Sequence, residues 1–434
     1  MQEKVNILLI GTGLSGNMGS QAMIQAAVKY LNETHISEIT LFTFNPEIDN
    51  ALAQKLRLNI SINSIKFQSW FFRSAISLFF NLIGLKSFSM FLIKDLIKLY
   101  NVDYILEVTG ISFNDHQGVA TSIKHLLWLV PSLTVNRMEK YIKVSQATGP
   151  FNHFMNRMIA IYAYNKIEHF RARGKKSLEN LTSLSDKFKN KDFIYAADLS
   201  FLLEPCSRDE ALEILDQEDI KLEPGKKYFG FTPNMIQIDR LGKNKIKELY
   251  SECAKTIDYI NNFYNFEVLL IPHSFRRSEK SKSIEKKLLG FSKLILDDSI
   301  FIKEVYNRLQ NKDKAHLVLN EKYAYQIKGV FKLMDLNIVM RFHSMIGSLG
   351  AGVSCFVISW SHKYTEVMKE FGLEKFVVDG NDFSLSLYKE LIDEFLTKNS
   401  EFNDIVKEKL MSVKKMTKEN FNIINFKRKT IDLP

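Results

Sequence analysis

Residues 335–379 read DLNIVMRFHSMIGSLGAGVSCFVISWSHKYTEVMKEFGLEKFVVD, and their pattern decides the fold. Residues 336–340 are a short apolar run of the buried-strand kind, with Arg341, Phe342 and His343 at its end. Residues 344–349 carry apolar side chains at helical spacing, punctuated by Gly350 and Gly352. Residues 353–360 are a second β-branched run, followed by the polar turn Ser361-His362-Lys363; a further helix and strand complete the stretch. Such alternation predicts parallel strands with helical crossovers, an α/β fold. In open sheets of this kind, ligands sit beyond the carboxyl ends of the strands. Arg341, His343, His362 and Lys363 all fall at such ends, beside helix N-termini. The spacing therefore predicts a cationic pocket suited to an anionic, phosphorylated ligand.

The same grammar extends in both directions. Residues 5–10 form an apolar run ending in GTGLSGNMGSQAM, followed by an expected helix over 22–31 and a strand over 39–44. Further strands are expected at 102–108, 141–145 and 168–172, with helices at 121–130 and 177–184. Residues 204–227 contain Pro205, Pro224, Gly225 and many charges, which reads as a linker. A second series follows, with strands at 228–231, 268–271 and 316–319 and helices at 246–262, 302–309 and 324–333. The expected organisation is one domain over 1–203, a linker over 204–227, a second domain over 228–385, and a charged helical tail over 386–434. That tail is able to pack back on the first half.

A chain of 434 residues exceeds one ordinary core, and 46% hydrophobic with 25% charged residues fits a folded protein. The net charge of +10 is spread along the chain. It suits an anionic substrate or an acidic membrane surface, and no nucleic-acid partner is predicted. The three cysteines lack metal-ligand spacing, and the first residues lack a signal-peptide layout. Both point to a reduced, cytoplasmic setting. Residues 70–100, WFFRSAISLFFNLIGLKSFSMFLIKDLIKLY, are rich in Phe, Leu and Ile. Their longest charge-free run, 74–85, is about a dozen residues, against the roughly 20 needed to span a bilayer. The preferred reading is one or two buried helices. The other is a peripheral patch at the inner membrane face, edged by Arg73, Lys86, Lys94 and Lys98.

Gly11-Thr12-Gly13-Leu14-Ser15-Gly16 matches G-x-G-x-x-G after a strand. A dinucleotide site also needs an acid at the end of the second strand, where this chain has Thr43-Phe44-Asn45. The run also continues through Asn17 and Gly19. The loop reads either as a tight turn or as a substrate cradle with Asn17 pointing inward. An arginine is rarely buried unpaired, so Arg341 needs a counter-anion or a carboxylate. His273, after Pro272 at another strand end, and Lys363 join His343 as candidates. Arg276 and Arg277 read as solvated. Asp115 reads as a helix cap or a functional acid, Arg173 as a partner for Asp198, and Asp297-Asp298 as an N-cap rather than a metal pair. The sequence has no Gly-x-Ser-x-Gly, no Cys/His dyad spacing and no Walker loop.

Nine short elements occur in order: Gly16-Asn-Met-Gly19-Ser-Gln-Ala22, Gly110-Ile-Ser-Phe113-Asn-Asp115, Gln146-Ala-Thr-Gly149-Pro150-Phe151, Arg173 with Ser177-Leu178, Ala197-Asp198, Pro272-His273, Lys328-Gly329, Arg341-Phe-His343 and Ser361-His-Lys363-Tyr364. Together, from Ile7 to about Asp379, they resemble the polysaccharide pyruvyl transferase family. The departures are Phe342 and Gly352-Val353-Ser354, where a proline is usual, and a single glycine around Glu107–Gly110 where many members have three. The resemblance implies two Rossmann-like domains facing across a cleft, similar to the GT-B glycosyltransferases. It implies phosphoenolpyruvate as donor and a saccharide or lipid-linked saccharide as acceptor. The product would be a pyruvate ketal in cell-surface polysaccharide. The donor would bind the second domain, where His343 is the expected general acid. Arg341 would grip a carboxylate or phosphate, with His273 and Lys363 holding the other group. Asn17, Gly19 and Asp115 would face the acceptor. No cofactor or metal is required. The alternative is a GT-B glycosyltransferase using a nucleotide sugar, for which Glu366 is the only acid near the Ser361 turn.

Overall fold

A computed structural model describes residues 4–34, 37–188, 193–235, 243–274, 297–359 and 361–424. It divides into two compact units, Met1–Leu202 with Lys414–Pro434, and Leu203–Val413.

Unit 1 runs β1 (Val5–Ile10), α1 (Met18–Thr34), β2 (Ser37–Thr43), α2 (Pro46–Lys55), β3 (Ser61–Ser64), α3 (Phe67–Leu82), α4 (Lys86–Leu92) and α5 (Lys94–Leu99). It continues with β4 (Tyr104–Glu107), β5 (Ile111–Ser112), α6 (Gly118–Thr134), β6 (Tyr141–Thr148), α7 (Phe154–Lys166), β7 (His169–Ala172), α8 (Lys175–Thr182) and β8 (Ile194–Tyr195). The sheet order is β3-β2-β1-β4-β6-β7-β8, with β5 beside β6. All pairings are parallel. A parallel sheet covered on both faces requires near-continuous apolar strands. Ile7, Leu8, Leu9 and Ile10 of β1 are accordingly buried.

Unit 2 runs α9 (Arg208–Asp216), β9 (Lys227–Thr232), α10 (Lys243–Phe263), β10 (Phe266–Leu270), α11 (Ser299–Tyr306), β11 (Ala315–Leu317), α12 (Ala324–Leu333), β12 (Leu336–Val339) and α13 (Phe342–Gly350). It ends with β13 (Cys355–Ser359), α14 (His362–Glu370), β14 (Val377–Asp379), α15 (Leu385–Thr397) and most of α16 (Asn399–Lys418). Its parallel sheet has the order β11-β10-β9-β12-β13-β14. This is the doubly wound order, with the strand order reversing between β9 and β12.

Three local differences from the sequence reading have clear causes. Residues 204–227, expected as a linker, contain α9, and the chain from Leu203 onward belongs to unit 2. Ser207 caps α9 by accepting the Glu210 N–H at 3.1 Å, and the helix buries Ala211, Ile214 and Leu215. Its many charges hide that short apolar stripe. The buried Lys328 ammonium donates to the Leu203 carbonyl, and the Cys206 N–H donates to Tyr325 O at 3.1 Å, fixing the segment on α12. Second, the expected tail divides: its residues up to Val413 stay with unit 2, and only Lys414 onward counts with unit 1, the half on which the sequence reading lets the tail pack. There Asn420 accepts the Ser145 N–H at 2.6 Å, and Arg171 Nε donates to Glu419 O at 2.9 Å. Third, residues 70–100 do not form the preferred buried helices. Trp70 packs at a tilt against Trp128, with centroids 4.4 Å apart, but many large apolar side chains of α3 and α4 face solvent.

Candidate functional site

In unit 2 the polar side chains gather where β9, β10, β12 and β13 end. Arg341 follows β12 at the N-cap position of α13, and His343 lies in the first turn of that helix. The counter-charge that a buried arginine requires is Asp298. Arg341 donates to it from Nε at 2.5 Å and from Nη2 at 2.7 Å, in a bidentate pair. Asp298 is fully buried and also accepts the Met235 N–H at 3.0 Å and the His273 N–H at 3.2 Å. One carboxylate thus ties together the loops after β9 and β10 and the residue after β12. Burial pushes the Asp298 carboxyl upward, while Arg341 and the two backbone N–H groups pull it back.

Asp298 occupies the N-cap position of α11 as expected, but its side chain makes no capping hydrogen bond and serves Arg341 instead. Its partner lies 43 residues further along the chain, so neighbouring sequence carries no sign of the pairing.

His273 is buried, and its imidazole is held well below the ordinary value, first by burial and then by Arg341 and His343. It is therefore neutral near pH 7. His343 is half-buried and meets the Phe342 ring edge-on at 5.4 Å. Lys363, in the first turn of α14, places its Nζ 5.0 Å from the centroid of the same ring. Phe342 thus stands between the side chains that arrive from β12 and β13. Tyr364 holds the backbone here by donating to Met340 O at 3.1 Å, and Asn234 donates to the same carbonyl at 3.2 Å. Of the side chains expected in this pocket, the structure brings together Arg341, His343, His273 and Lys363. Arg276 and Arg277 lie outside the described residues, as does the side chain of His362.

In unit 1 the loop after β1 is closed on itself. Asp49 of α2 is buried, accepts the Ser15 N–H at 2.6 Å and takes a short hydrogen bond from the Thr43 hydroxyl. A Cβ on Gly13 would lie 2.5 Å from the Asp49 carboxylate. The protein's own carboxylate therefore fills the cradle that a phosphate would need. Asn17 is exposed and does not point into the loop: its Oδ1 accepts the Ser20 N–H at 2.9 Å and caps α1. Gly19 is buried inside α1. Asp115 accepts the N–H groups of Asn152 at 2.7 Å and His153 at 3.2 Å, and the Asn156 amide at 3.0 Å. It ties down the turn that leads into α7, while Asn114 caps its own segment. The expected Arg173–Asp198 pair is present, buried, at 2.6 Å.

The sequence reading missed a buried network at the end of β4. The Glu107 carboxylate accepts from Lys143 Nζ at 2.5 Å, Tyr141 OH at 2.6 Å and Thr109 Oγ1 at 3.1 Å, with His125 Nδ1 at 3.6 Å. The signal was available: YILEV and YIKVS each carry one charge inside an apolar strand, and β4 and β6 are neighbours in which Glu107 and Lys143 are direct register partners.

The family model described as polysaccharide pyruvyl transferase matches residues 17–362. A comparison with curated protein sequences finds no match. Among solved structures, the chain is similar to UDP-GlcNAc 2-epimerase from Neisseria meningitidis bound to UDP-GlcNAc, at 12% identity over 97% of this chain and 99% of that one, with a TM-score of 0.55. It is also similar to UDP-GlcNAc 2-epimerase from Methanocaldococcus jannaschii, at 12% identity over 96% and 93%, with a TM-score of 0.54. A third neighbour is Anabaena HepE in complex with UDP, at 11% identity over 96% and 98%, with a TM-score of 0.53. At such identities these likenesses show the fold alone: two Rossmann-like units of the GT-B type.

Proposed function

Because the chain belongs to the polysaccharide pyruvyl transferase family, we propose that it transfers pyruvyl from phosphoenolpyruvate to two hydroxyls of a saccharide, forming a pyruvate ketal during cell-surface polysaccharide biosynthesis. The supporting observation is the gathering of Arg341, His343, His273 and Lys363 around Phe342 and Asp298 at the carboxyl ends of adjacent parallel strands. A donor with both a carboxylate and a phosphate needs two cationic or N–H-rich contacts at such a place. Arg341 has its Nε and Nη2 edge engaged by Asp298, so the pair presents a fixed guanidinium rather than a mobile one. Lys363 and the first turn of α13 supply the second contact.

The reaction begins with proton delivery to the methylene carbon of phosphoenolpyruvate, which makes the adjacent carbon an oxocarbenium. One saccharide hydroxyl adds there and loses its proton. The carbon–oxygen bond to phosphate breaks, phosphate carries away the electron pair, and a second hydroxyl closes the ring with loss of its proton. The acid must hold a proton near neutral pH. Burial beside Arg341 and His343 keeps His273 neutral, which suits it to hydrogen-bond an oxygen of the donor. We assign the role of general acid to His343. Asp115 is spent on the N-terminus of α7 and receives no role as a base.

The test is titration calorimetry with phosphoenolpyruvate and with a panel of nucleotide sugars, on wild type, Lys363→Gln and His343→Gln. Phosphoenolpyruvate binding that weakens in Lys363→Gln and persists in a transfer-dead His343→Gln supports the reading. Binding of a nucleotide sugar alone overturns it in favour of glycosyl transfer. Arg341→Ala is a poor probe, because it strands the buried Asp298 carboxylate and mixes folding with binding.

A further inference from the structure

Helices α3 and α4 expose a row of large apolar side chains and bury Ser74, Ser77 and Ser89 beside Phe67 and Trp70. On α3, Phe72, Ile76, Phe79 and Leu82 recur at helical spacing on one exposed face, with Phe79 58% and Leu82 61% accessible. The opposite face buries Phe67, Trp70, Ser74 and Ser77. On α4, Ser89 is buried while Phe88 and Phe91 are exposed, Phe91 to 75%. The two helices meet through serine: Ser77 Oγ and Ser89 Oγ are 2.6 Å apart, and Ser89 also donates to Ser77 O at 3.1 Å. The turn between them, 83–85, is apolar and exposed as well. The pair therefore carries a second apolar face besides the one that packs on the core, and contiguous exposed apolar surface of this kind marks an interaction site.

The charge around the face says what covers it. Residues 67–100 contain Arg73, Lys86, Lys94 and Lys98 against the single acid Asp95. Arg73 pairs with Asp95, its Nη1 at 2.8 Å from Oδ2. Lys86, Lys94 and Lys98 are exposed and give the face a basic fringe. A second copy docked on this face through a two-fold axis would bring like-charged fringes together. No described helix is long and apolar enough to cross a membrane, and α3 has 16 residues. Short helices with an outward aromatic face and basic edges are the form taken by elements that lie in a lipid interface.

We propose that α3 and α4 seat unit 1 on an anionic lipid bilayer. Phe72, Phe79, Phe88 and Phe91 enter the boundary between headgroups and acyl chains, and Lys86, Lys94 and Lys98 face the headgroup phosphates. The inference is independent of the donor assigned above.

Vesicle flotation of the full chain tests it, with phosphatidylcholine vesicles and with the same vesicles containing phosphatidylglycerol. The wild type is expected to float with the phosphatidylglycerol vesicles. Phe79→Asp with Phe91→Asp is expected to abolish flotation with an unchanged circular dichroism spectrum. Lys86→Gln, Lys94→Gln and Lys98→Gln together are expected to weaken binding about 100-fold. Wild-type protein that stays with the aqueous fraction overturns the proposal. So does flotation that survives the double aspartate variant. Sedimentation velocity adds a third arm: a wild-type dimer that the aspartate variant dissolves, without vesicle binding, assigns the face to a second copy and refutes the lipid surface.

Discussion

Replacing Lys143 with methionine keeps an unbranched apolar side chain, one atom shorter, and removes the charge opposite Glu107. The Glu107 carboxylate has no exposure, and it accepts from Lys143 at 2.5 Å, Tyr141 at 2.6 Å and Thr109 at 3.1 Å. Burial alone pushes its carboxyl upward; Lys143 and His125 more than reverse that and bring it from 4.5 to about 2. A fall of that size is worth about 3 kcal/mol of stability at neutral pH. Breaking a buried pair from one side costs about 3–5 kcal/mol by a separate line of reasoning. Burial holds the Lys143 ammonium below its ordinary value and offsets part of the first figure, so the stranded carboxylate sets the expectation: Lys143→Met should cost about 3–5 kcal/mol. The sign follows from the folded-state value lying below the unfolded one. The stabilisation is fully present above pH 4.5 and is lost as pH falls toward 2. The gap between wild type and variant should therefore be widest near neutral pH and shrink in acid. Adding Glu107→Gln to the variant should recover part of the loss, since no buried charge then remains unpaired. Hydrogen exchange of peptides from β4 and β6 under increasing urea reads unit 1 separately from unit 2. A loss below about 1 kcal/mol, or a gap that does not change with pH, would refute the argument that this pair is held by charge.

Three further outcomes follow from geometry. Asp298→Asn replaces a four-contact carboxylate with an amide whose NH2 must face a donor; it should cost about 3 kcal/mol in exchange from β9 and β10 peptides and abolish phosphoenolpyruvate binding. His273 is held below its ordinary value of 6.5 by burial, so its neutral form belongs to the folded state and stability should fall as pH drops below 6.5, by up to about 1.4 kcal/mol per pH unit. His273→Gln should flatten that slope in thermal unfolding, and an unchanged slope would place the proton uptake elsewhere. Gly11 has φ +99°, and a Cβ there would lie 2.3 Å from Thr109 Oγ1. Gly11→Ala should therefore lower unit 1 stability by at least about 1–3 kcal/mol, of which Thr109→Ala relieves only the contact and not the backbone strain.

What the sequence shows and hides follows from the range of the forces involved. Parallel strands buried on both faces need unbroken apolar runs, so 5–10 and 336–340 are recognisable one at a time. Arg341 and His343 are legible because they interrupt such a run at its carboxyl end. Asp298 is legible only as a helix start; that it faces Arg341 depends on β9 lying between β10 and β12, which no local pattern states. Asn17 and Asp115 have the chemistry of ligands and of caps in equal measure, and the tertiary structure uses Asn17 to cap α1 and Asp115 to fix the turn before α7. Periodicity also finds the two faces of α3 without saying which looks outward. Ser74, Ser77 and Ser89 were the clue, since small hydroxyls let two helices approach closely while leaving the phenylalanines nowhere to go but out.

The same topological position carries opposite chemistry in the two units, and this bears on where an anionic donor belongs. In unit 1 the order reverses between β1 and β4, and the groups there are the Asp49 and Glu107 carboxylates. Asp49 consumes the loop N–H that an anion would seek, and Glu107 is already matched by Lys143. A phosphate brought there would displace an internal carboxylate and leave it buried, which the magnitudes above make unfavourable. In unit 2 the order reverses between β9 and β12; the buried carboxylate of Asp298 supports Arg341 and accepts the His273 N–H, while His343 and Lys363 lie against Phe342, next to Arg341 in the chain. The acid there is already engaged by Arg341 and by two backbone N–H groups, so an anion would displace no internal carboxylate. A neutral polyol has no such objection to unit 1. This asymmetry supports assigning phosphoenolpyruvate to unit 2 and the saccharide to unit 1. It also predicts that Lys363→Gln changes the apparent affinity for phosphoenolpyruvate and leaves that for the saccharide unchanged; equal effects on both would remove the basis for dividing the substrates this way.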